Sequence, residues 1–209
     1  MNLFFKWVYV LACQLIIKTK KKIPMKKSIS ICLVFCFIAI KSFCQDPSKV
    51  DYDAFEKLVK EVKSHRQNRL ITLERFLKMS KMDDVIILDT RSKEMYDAKH
   101  LKGARHLNFS DFTQENLAEI LPSKKTRVLI YCNNNFDNDQ VYFATKVSGP
   151  LVNELSSPSE NKNLGITMAL NIPTYINLYG YGYKNVYELS ELVSVNDDRI
   201  KFEGTSVKP

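Results

Sequence analysis

Cysteine is scarce over most of this sequence. The chain has five cysteines, and four of them lie within the first 44 residues: Cys13, Cys32, Cys36 and Cys44. If the chain is cut before Gln45, Cys132 is the only thiol that remains and no internal disulfide can form. The fold must then depend on its hydrophobic core, and a lone thiol in an oxidising compartment is either reactive or sheltered.

Acidic residues are absent from the first 44 positions, which hold eight lysines. The net charge of the whole chain is +8, so the basic excess belongs to this segment and the remainder is neutral overall. A basic excess confined to a leader is no evidence for nucleic-acid binding, and we expect no nucleic-acid partner.

The first 44 residues have the pattern of a leader. From Met25 the sequence MKKSISICLVFCFIAIKSFCQ has a short positive start, an apolar run, and small residues at Ser42 and Cys44 before Gln45. This pattern is typical of a secretory signal peptide, with Met25 as the possible true start of translation. The apolar run is shorter than the ~20 residues that span a bilayer. We expect cleavage near Cys44 and a periplasmic or secreted protein; the alternative is an uncleaved leader that contacts the membrane.

Helical and apolar segments alternate after the leader. Residues 45–69 contain DYDAFEKLVKEVKSH, whose apolar residues recur at helical spacing and predict an N-terminal helical extension. The runs DVIILD and RVLIYC are apolar throughout, as in parallel strands covered on both faces. Helical patterns lie between such runs, with Thr72, Ser92 and Thr113 as N-caps. An α/β domain with a mostly parallel sheet is therefore predicted over residues 70–209.

Residues 147–165 interrupt this alternation. They are rich in Ser, Pro, Asn and Gly and predict an irregular insertion, which is long for a compact domain and therefore either mobile or functional. The sequence contains no group of His, Cys and Asp at metal-ligand spacing, so we expect neither a metal site nor a cofactor.

The segment RVLIYCNNNFDNDQ, residues 127–140, places Cys132 at the end of a buried strand. Only a thiolate attacks as a nucleophile, and a free cysteine of pKa ~8.5 is only slightly ionised at neutral pH. Backbone N–H groups curled around the sulfur would favour the anion, and asparagine tolerates the left-handed backbone that such a curl can need. We expect a cradle, which would bind the substrate anion, from Asn133, Asn134, Asn135, Phe136 and Asp137. The Phe136 ring would line or plug a pocket there.

Two segments resemble the rhodanese-like domain family. DTRSKEMYDAKHLKGARHLN contains Asp89 and Arg91 at a strand end and a tyrosine four residues before His100, followed by Leu-x-Gly-Ala. VLIYC and the later GYKNVYEL are similar to the family's cysteine-bearing strand and to a later strand, so the resemblance covers about residues 70–192. It implies a mostly parallel five-stranded sheet flanked by helices on both faces. It also implies that Cys132 accepts sulfur from a small donor such as thiosulfate or a persulfide.

The loop after Cys132 departs from the family pattern. Many members have an arginine within a few residues of the cysteine, whereas this chain has none between Arg127 and Arg199. Lys146 is the nearest basic residue after the loop and is a candidate replacement. A cysteine phosphatase, a neighbouring activity of this fold, would need an arginine at the position of Asn138, so that activity is excluded.

Charged residues around the loop have mostly structural interpretations. Asp89 and Arg91 are expected to form an ion pair that braces the loop, and His100 to pack or hydrogen-bond within it. Asp137 and Asp139 would disfavour a thiolate if they faced the sulfur.

Three functions remain open. The first is an exported sulfurtransferase or persulfide carrier that uses Cys132 as its sulfur acceptor. The second is a non-catalytic binding module whose residues 147–165 engage a protein partner. The third is a redox-sensing thiol at Cys132. A depressed pKa of Cys132 would favour the first function, and a normal or raised one the second.

Overall fold

The computed structural model describes residues 48–148 and 166–207. The predicted leader, residues 1–44, lies outside these ranges, and so do residues 149–165 of the predicted insertion. The compact unit described below begins at Asp51. Within the two described ranges, no helix is long and apolar enough to cross a membrane.

Five α-helices occur in the described residues, and polar side chains cap the first four. The three predicted N-caps are confirmed: Thr72, Ser92 and Thr113 each accept a hydrogen bond from the backbone N–H three residues later. Asp51 caps the first helix in the same way. The helices are α1 Tyr52–Gln67, α2 Leu73–Met79, α3 Lys93–Ala98, α4 Gln114–Ile120 and α5 Asn171–Gly180.

The strands of the described residues are mostly short. In chain order they are β1 Leu70–Ile71, β2 Val85–Asp89, β3 His100–Leu101, β4 Arg105–His106, β5 Arg127–Ile130, β6 Phe136–Asp137, β7 Val147–Ser148, β8 Ile166–Thr167, β9 Val186–Leu189, β10 Val193–Ser194 and β11 Phe202–Glu203. One sheet has five strands in the order β1-β9-β5-β2-β4, and every neighbouring pair in it is parallel. The predicted five-stranded parallel sheet is therefore confirmed.

Helices cover both faces of this sheet, as predicted. On one face, Phe76 and Met79 of α2 pack with Leu129 of β5. On the other, residues of α1, α4 and α5 pack with Val128 and Ile130 of the same strand. Because successive side chains of a strand point to opposite faces, the all-apolar sequence of β5 supplies both cores.

The helix α1 lies against the second face. Val62 of α1 is buried in the core on this face. Arg66 of the same helix forms a bidentate ion pair with Glu188 of β9, with Nη2 to Oε1 at 2.6 Å. The side chain of Glu188 is only 5% exposed, so this ion pair ties the helix to the central strands of the sheet.

A short strand pair flanks the predicted insertion. Val147 and Ser148 pair antiparallel with Ile166 and Thr167, so β7 and β8 form the base of a hairpin. The prediction of irregular structure was therefore wrong for its first two residues, 147 and 148, because their backbone groups pair with a second strand.

Candidate active site

Cys132 lies directly beyond β5, at the carboxyl edge of the parallel sheet, and is 1% exposed. The parallel strands β2, β5 and β9 all end at this edge. Ligands of open α/β sheets bind outside the carboxyl ends of such strands. The fold thus places the lone described cysteine where a ligand site is expected.

Asn135 fixes the loop that carries this thiol. Residues Asn133–Asn135 form a 3₁₀ turn, and the Oδ1 atom of Asn135 accepts a hydrogen bond from the backbone N–H of Cys132 at 3.0 Å. Its Nδ2 atom donates to the carbonyl of Leu189 at 2.8 Å. The buried asparagine therefore joins the cysteine loop to the end of β9.

Backbone N–H groups from two segments approach the sulfur. They belong to Asn134 in the 3₁₀ turn and to Leu170 and Asn171 at the start of α5. Burial raises the pKa of the Cys132 thiol to about 11, and these three N–H groups act in the opposite direction without overcoming it. The free thiol is therefore protonated at neutral pH.

A small cavity of about 10 Å³ adjoins Cys132, with walls formed by Arg91, Asn133, Lys146 and the segment 169–170. This volume is about that of one water molecule. Asn133 is 6% exposed, and its Oδ1 atom is buried without a hydrogen-bond partner among the described residues.

Arg91 reaches this cavity from the loop after β2, but four of its five side-chain N–H donors are already engaged. Its Nε and Nη2 atoms bond both oxygens of Asp89, with Nη2 to Oδ2 at 2.7 Å. The carbonyls of Lys99 and Tyr142 accept from Nη2 and Nη1 at 2.7 and 2.9 Å. Tyr131 also donates to Asp89, at 2.5 Å. Asp89 and Arg91 thus form the expected ion pair, with side chains 0% and 4% exposed.

Lys146 is held beside the loop by its backbone. The side chain of Asn134 accepts from the N–H of Lys146 at 2.7 Å and donates to its carbonyl at 2.9 Å. It also donates to Thr167 at 3.1 Å. These three hydrogen bonds of Asn134 hold β7 and β8 beside the cysteine loop. Lys146 is therefore the second cation in the wall of the cavity.

The cradle predicted from Asn133 to Asp137 differs from the observed one. Of these five residues, Asn134 and Asn135 direct a backbone N–H to the side chain of Cys132. The N–H of Asn135 also donates to the carbonyl of Cys132, and that of Phe136 donates to the carbonyl of Asn133. Asp137 belongs to β6, which pairs with β10. Because the short 3₁₀ turn uses its own N–H groups, the start of α5 supplies the others.

Phe136 does not line the thiol cavity. It is 1% exposed, and its ring packs in the core with Phe143 and Phe202 at centroid distances of 4.6 and 5.5 Å. The expectation that it lines or plugs the pocket was wrong, because its ring is part of the hydrophobic core.

The two acidic residues of the loop have partners away from the sulfur. Asp139 forms an ion pair with Lys99 at 2.8 Å. Asp137 accepts from the side chain of Asn138, the one non-glycine residue with a left-handed φ, 65°, in the described part of the chain. The left-handed asparagine therefore occurs beyond the cradle.

His100 lies among structural contacts. Its ring stacks on Tyr96 at a centroid distance of 3.7 Å, and its Nε2 atom lies 3.3 Å from Glu203 of β11. These contacts attach the C-terminal segment to α3, and His100 does not contribute to the wall of the thiol cavity.

Leu170 and Asn171 were missed by sequence reasoning. The signal for them was Pro173, which sits in the first turn of α5 and marks a helix start. In a parallel α/β sheet, helix N-termini lie near the carboxyl ends of strands, so this start was a candidate for the anion cradle.

A larger cleft of about 300 Å³ adjoins the other side of the same loop. Asn134, Asn135 and Asn171 contribute to its wall, together with the Arg66–Glu188 ion pair. Oδ1 of Asn171 is buried and has no partner in the described ranges. The cleft and the thiol thus share the residues that hold the loop.

Among the residues that the structure describes, no group of three or more His, Cys, Asp or Glu side chains is arranged to hold a metal ion.

Comparison with known proteins gives a family match. The family model described as "Rhodanese-like domain" matches residues 72–191. The tRNA sulfurtransferase of Thermoplasma volcanium is 27% identical over 89 residues, which cover 43% of this chain and 17% of that protein. The chain therefore spans about a sixth of the length of this curated relative.

Two solved structures are similar to this chain at low sequence identity. A rhodanese with anions from E. coli is 17% identical, with a TM-score of 0.33, over 57% of this chain and 98% of that one. A protein from Bacillus halodurans is 15% identical, with a TM-score of 0.38, over 70% of this chain and 87% of that one.

Proposed function

Because the chain belongs to the rhodanese-like domain family, we propose that it accepts a sulfur atom on Cys132 and passes it to a second molecule. A sulfurtransferase-type function in general is supported by the family match and by the relative from Thermoplasma volcanium. The role of Cys132 as acceptor is our proposal.

The observation that carries this proposal is the convergence of three backbone N–H groups on the sulfur. Those of Asn134, Leu170 and Asn171 form a cradle of fixed dipoles that stabilises negative charge without a guanidinium. The amides of the last two also begin a ten-residue helix, whose dipole favours an anion at this end. A thiolate or a persulfide anion on Cys132 gains from both.

Sulfur transfer would occur in two balanced steps. The thiolate of Cys132 attacks the outer sulfur of a donor, a new S–S bond forms, and the old bond to that sulfur breaks with its electron pair on the leaving group. An acceptor nucleophile then attacks the same sulfur, and Cys132 leaves as a thiolate. Neither step needs an external oxidant, because sulfane sulfur is passed between equivalent positions.

The raised pKa sets the speed of this chemistry. At pH 7 a thiol of pKa about 11 is ionised in roughly one molecule in ten thousand. We therefore propose a persulfide carrier that is loaded slowly and holds its sulfur stably, and not an enzyme with rapid turnover.

A direct test uses the full chain, reduced, with thiosulfate or a small alkyl persulfide as donor. Mass spectrometry of the peptide that holds Cys132 should show one added sulfur, which cyanide removes as thiocyanate. Cys132→Ala should show neither the mass gain nor thiocyanate above the uncatalysed rate. Wild-type protein that behaves like the variant with both donors contradicts the proposal.

A non-catalytic binding module is the second candidate. It is favoured by the burial of the thiol, which is 1% exposed and has a raised pKa. Under this alternative, residues 147–165 engage a protein partner, and Cys132→Ala leaves that binding unchanged. Loading of sulfur on Cys132 would exclude a purely structural cysteine.

We propose export as the location of this activity, because the first 44 residues have the pattern of a signal peptide. Expression in a bacterium followed by fractionation should give periplasmic or secreted protein whose N-terminus is Gln45. Recovery of full-length chain in the cytoplasm alone would contradict this.

A further inference from the structure

We infer that Cys132 takes its sulfur from a protonated persulfide in preference to thiosulfate, and that Asn133 makes this selection. The inference rests on the proposed function, since it names the donor class for the same cysteine. It depends on the size, polarity and charge of the cavity beside the sulfur.

The cavity is too small to hold a whole donor. Its volume of about 10 Å³ is about that of one water molecule, so only the outer sulfur atom of a donor can approach it while the rest stays outside. The environment of that single atom is therefore what the protein can read directly.

The polarity of the cavity favours a donor that carries a proton. Oδ1 of Asn133 is a hydrogen-bond acceptor, buried and without a partner among the described residues, and the side chain forms part of the cavity wall. A buried carbonyl oxygen without a partner is stabilised when a ligand supplies a hydrogen-bond donor. The outer S–H of a persulfide supplies one, whereas thiosulfate at neutral pH presents an unprotonated, negatively charged sulfur to the same oxygen.

The charges of the cavity do not compensate a dianion. Arg91 is in the wall, but its guanidinium is neutralised by Asp89 at 2.7 Å and four of its five N–H donors are already used. Lys146 is the other cation of the wall; it is exposed, so solvent screens its single charge. The desolvation free energy of placing two negative charges at this position is therefore larger than the attraction from the cations of the wall.

The transfer step is balanced for a persulfide. The thiolate of Cys132 attacks the outer sulfur of R–S–S–H, which forms the new S–S bond, and the S–S bond between the inner and outer sulfur atoms of the donor breaks. The leaving thiolate R–S⁻ takes the electron pair and then the proton that Cys132 had lost. The transferred sulfur keeps its own hydrogen, which donates to Oδ1 of Asn133.

The experiment compares two donors on the full chain. Wild-type protein and Asn133→Leu are mixed with equal concentrations of thiosulfate or an alkyl persulfide, and loading of the Cys132 peptide is followed by mass. Leucine has nearly the shape of asparagine but accepts no hydrogen bond. Asn133→Ser, which keeps a smaller acceptor, is the second variant, and Asn196→Leu at an exposed position is the matched control.

We expect the persulfide to load wild-type Cys132 at least about tenfold faster than thiosulfate, since one hydrogen bond of ~1.4 kcal/mol gives this factor. Asn133→Leu should remove most of that ratio by slowing the persulfide, Asn133→Ser should keep part of it, and Asn196→Leu should change nothing. Equal loading by both donors, or a ratio untouched by Asn133→Leu, overturns the inference while the proposed function stands. No loading by either donor overturns both.

Discussion

The Nδ2 atom of Asn171 donates a hydrogen bond of 3.0 Å to Oδ1 of Asn135, which also accepts from the backbone N–H of Cys132. One buried carbonyl oxygen thereby joins the first turn of α5 to the loop that carries the thiol. The N–H groups that approach the sulfur come from these same two segments, so the contact holds the cradle together.

Replacing Asn135 should therefore loosen the site and the fold. Asn135→Ala removes the bonds to Cys132, Leu189 and Asn171 and leaves buried backbone groups unpaired, so we expect a loss of about 2–4 kcal/mol in the free energy of unfolding. Denaturant titration measures this loss, and sulfur loading of Cys132 should slow in parallel. The exposed Asn196→Ala should stay within about 0.5 kcal/mol of wild type. A similarly small change for Asn135→Ala would show that the loop is held by other contacts.

The Cys132 thiol should titrate far above neutrality. Burial raises its pKa to about 11, so the thiolate absorbance obtained by subtracting Cys132→Ala from wild type should rise near pH 11, and not near the ~8.5 of a free cysteine. Circular dichroism at each pH confirms that the protein is still folded. A midpoint below pH 8 would contradict the burial argument and would favour fast chemistry.

The same shift makes stability depend on pH. Below the pKa of a free thiol, ~8.5, both folded and unfolded states keep the proton, and the stabilising effect is fully present. Between ~8.5 and about 11 the unfolded state ionises first, so stability falls by up to about 1.4 kcal/mol per pH unit. We expect wild type to lose this stability relative to Cys132→Ala over that window. Parallel curves for the two proteins would contradict the shift.

Breaking the buried ion pair should be costly. Arg91→Leu leaves the fully buried carboxylate of Asp89 without its bidentate partner, so we expect a loss of about 3–5 kcal/mol. Arg91→Lys should recover only part of this, because an ammonium cannot reproduce the fork that also reaches two carbonyls. Arg75→Leu on the exposed face of α2 is the control. Thermal unfolding of the three variants decides the order, and an intact Arg91→Leu protein would make the pair dispensable.

Removing the unpartnered carbonyl near the thiol should stabilise the protein. Oδ1 of Asn133 is buried without a partner in the described residues, and Asn133→Leu relieves that desolvation, so we expect a gain of about 1 kcal/mol. Stability gained together with slower persulfide loading would mark Asn133 as kept for function. A clear loss of stability would indicate that the oxygen is already satisfied.

The position of the thiol could be predicted from sequence, whereas its surroundings could not. The all-apolar run before Cys132 determined a strand covered on both faces, and its last residue necessarily lies at the carboxyl edge of the sheet. The asparagines after it predicted a tight loop. They did not reveal that two N–H groups of the turn donate to carbonyls within the turn itself. That hydrogen bonding depends on the pairing of β6 with β10.

Local patterns in the sequence determined the elements of this protein: apolar runs set the strands, cap residues set the helix starts, and the cysteine follows its strand closely. The tertiary structure alone decided which residues surround the sulfur of Cys132. Asn171 lies 39 positions beyond Cys132, and Arg91 lies 41 before it, so their approach depends on strand order and helix packing. Sequence periodicity records which face of an element is buried, but contacts across such separations are fixed only when the two cores close around the sheet.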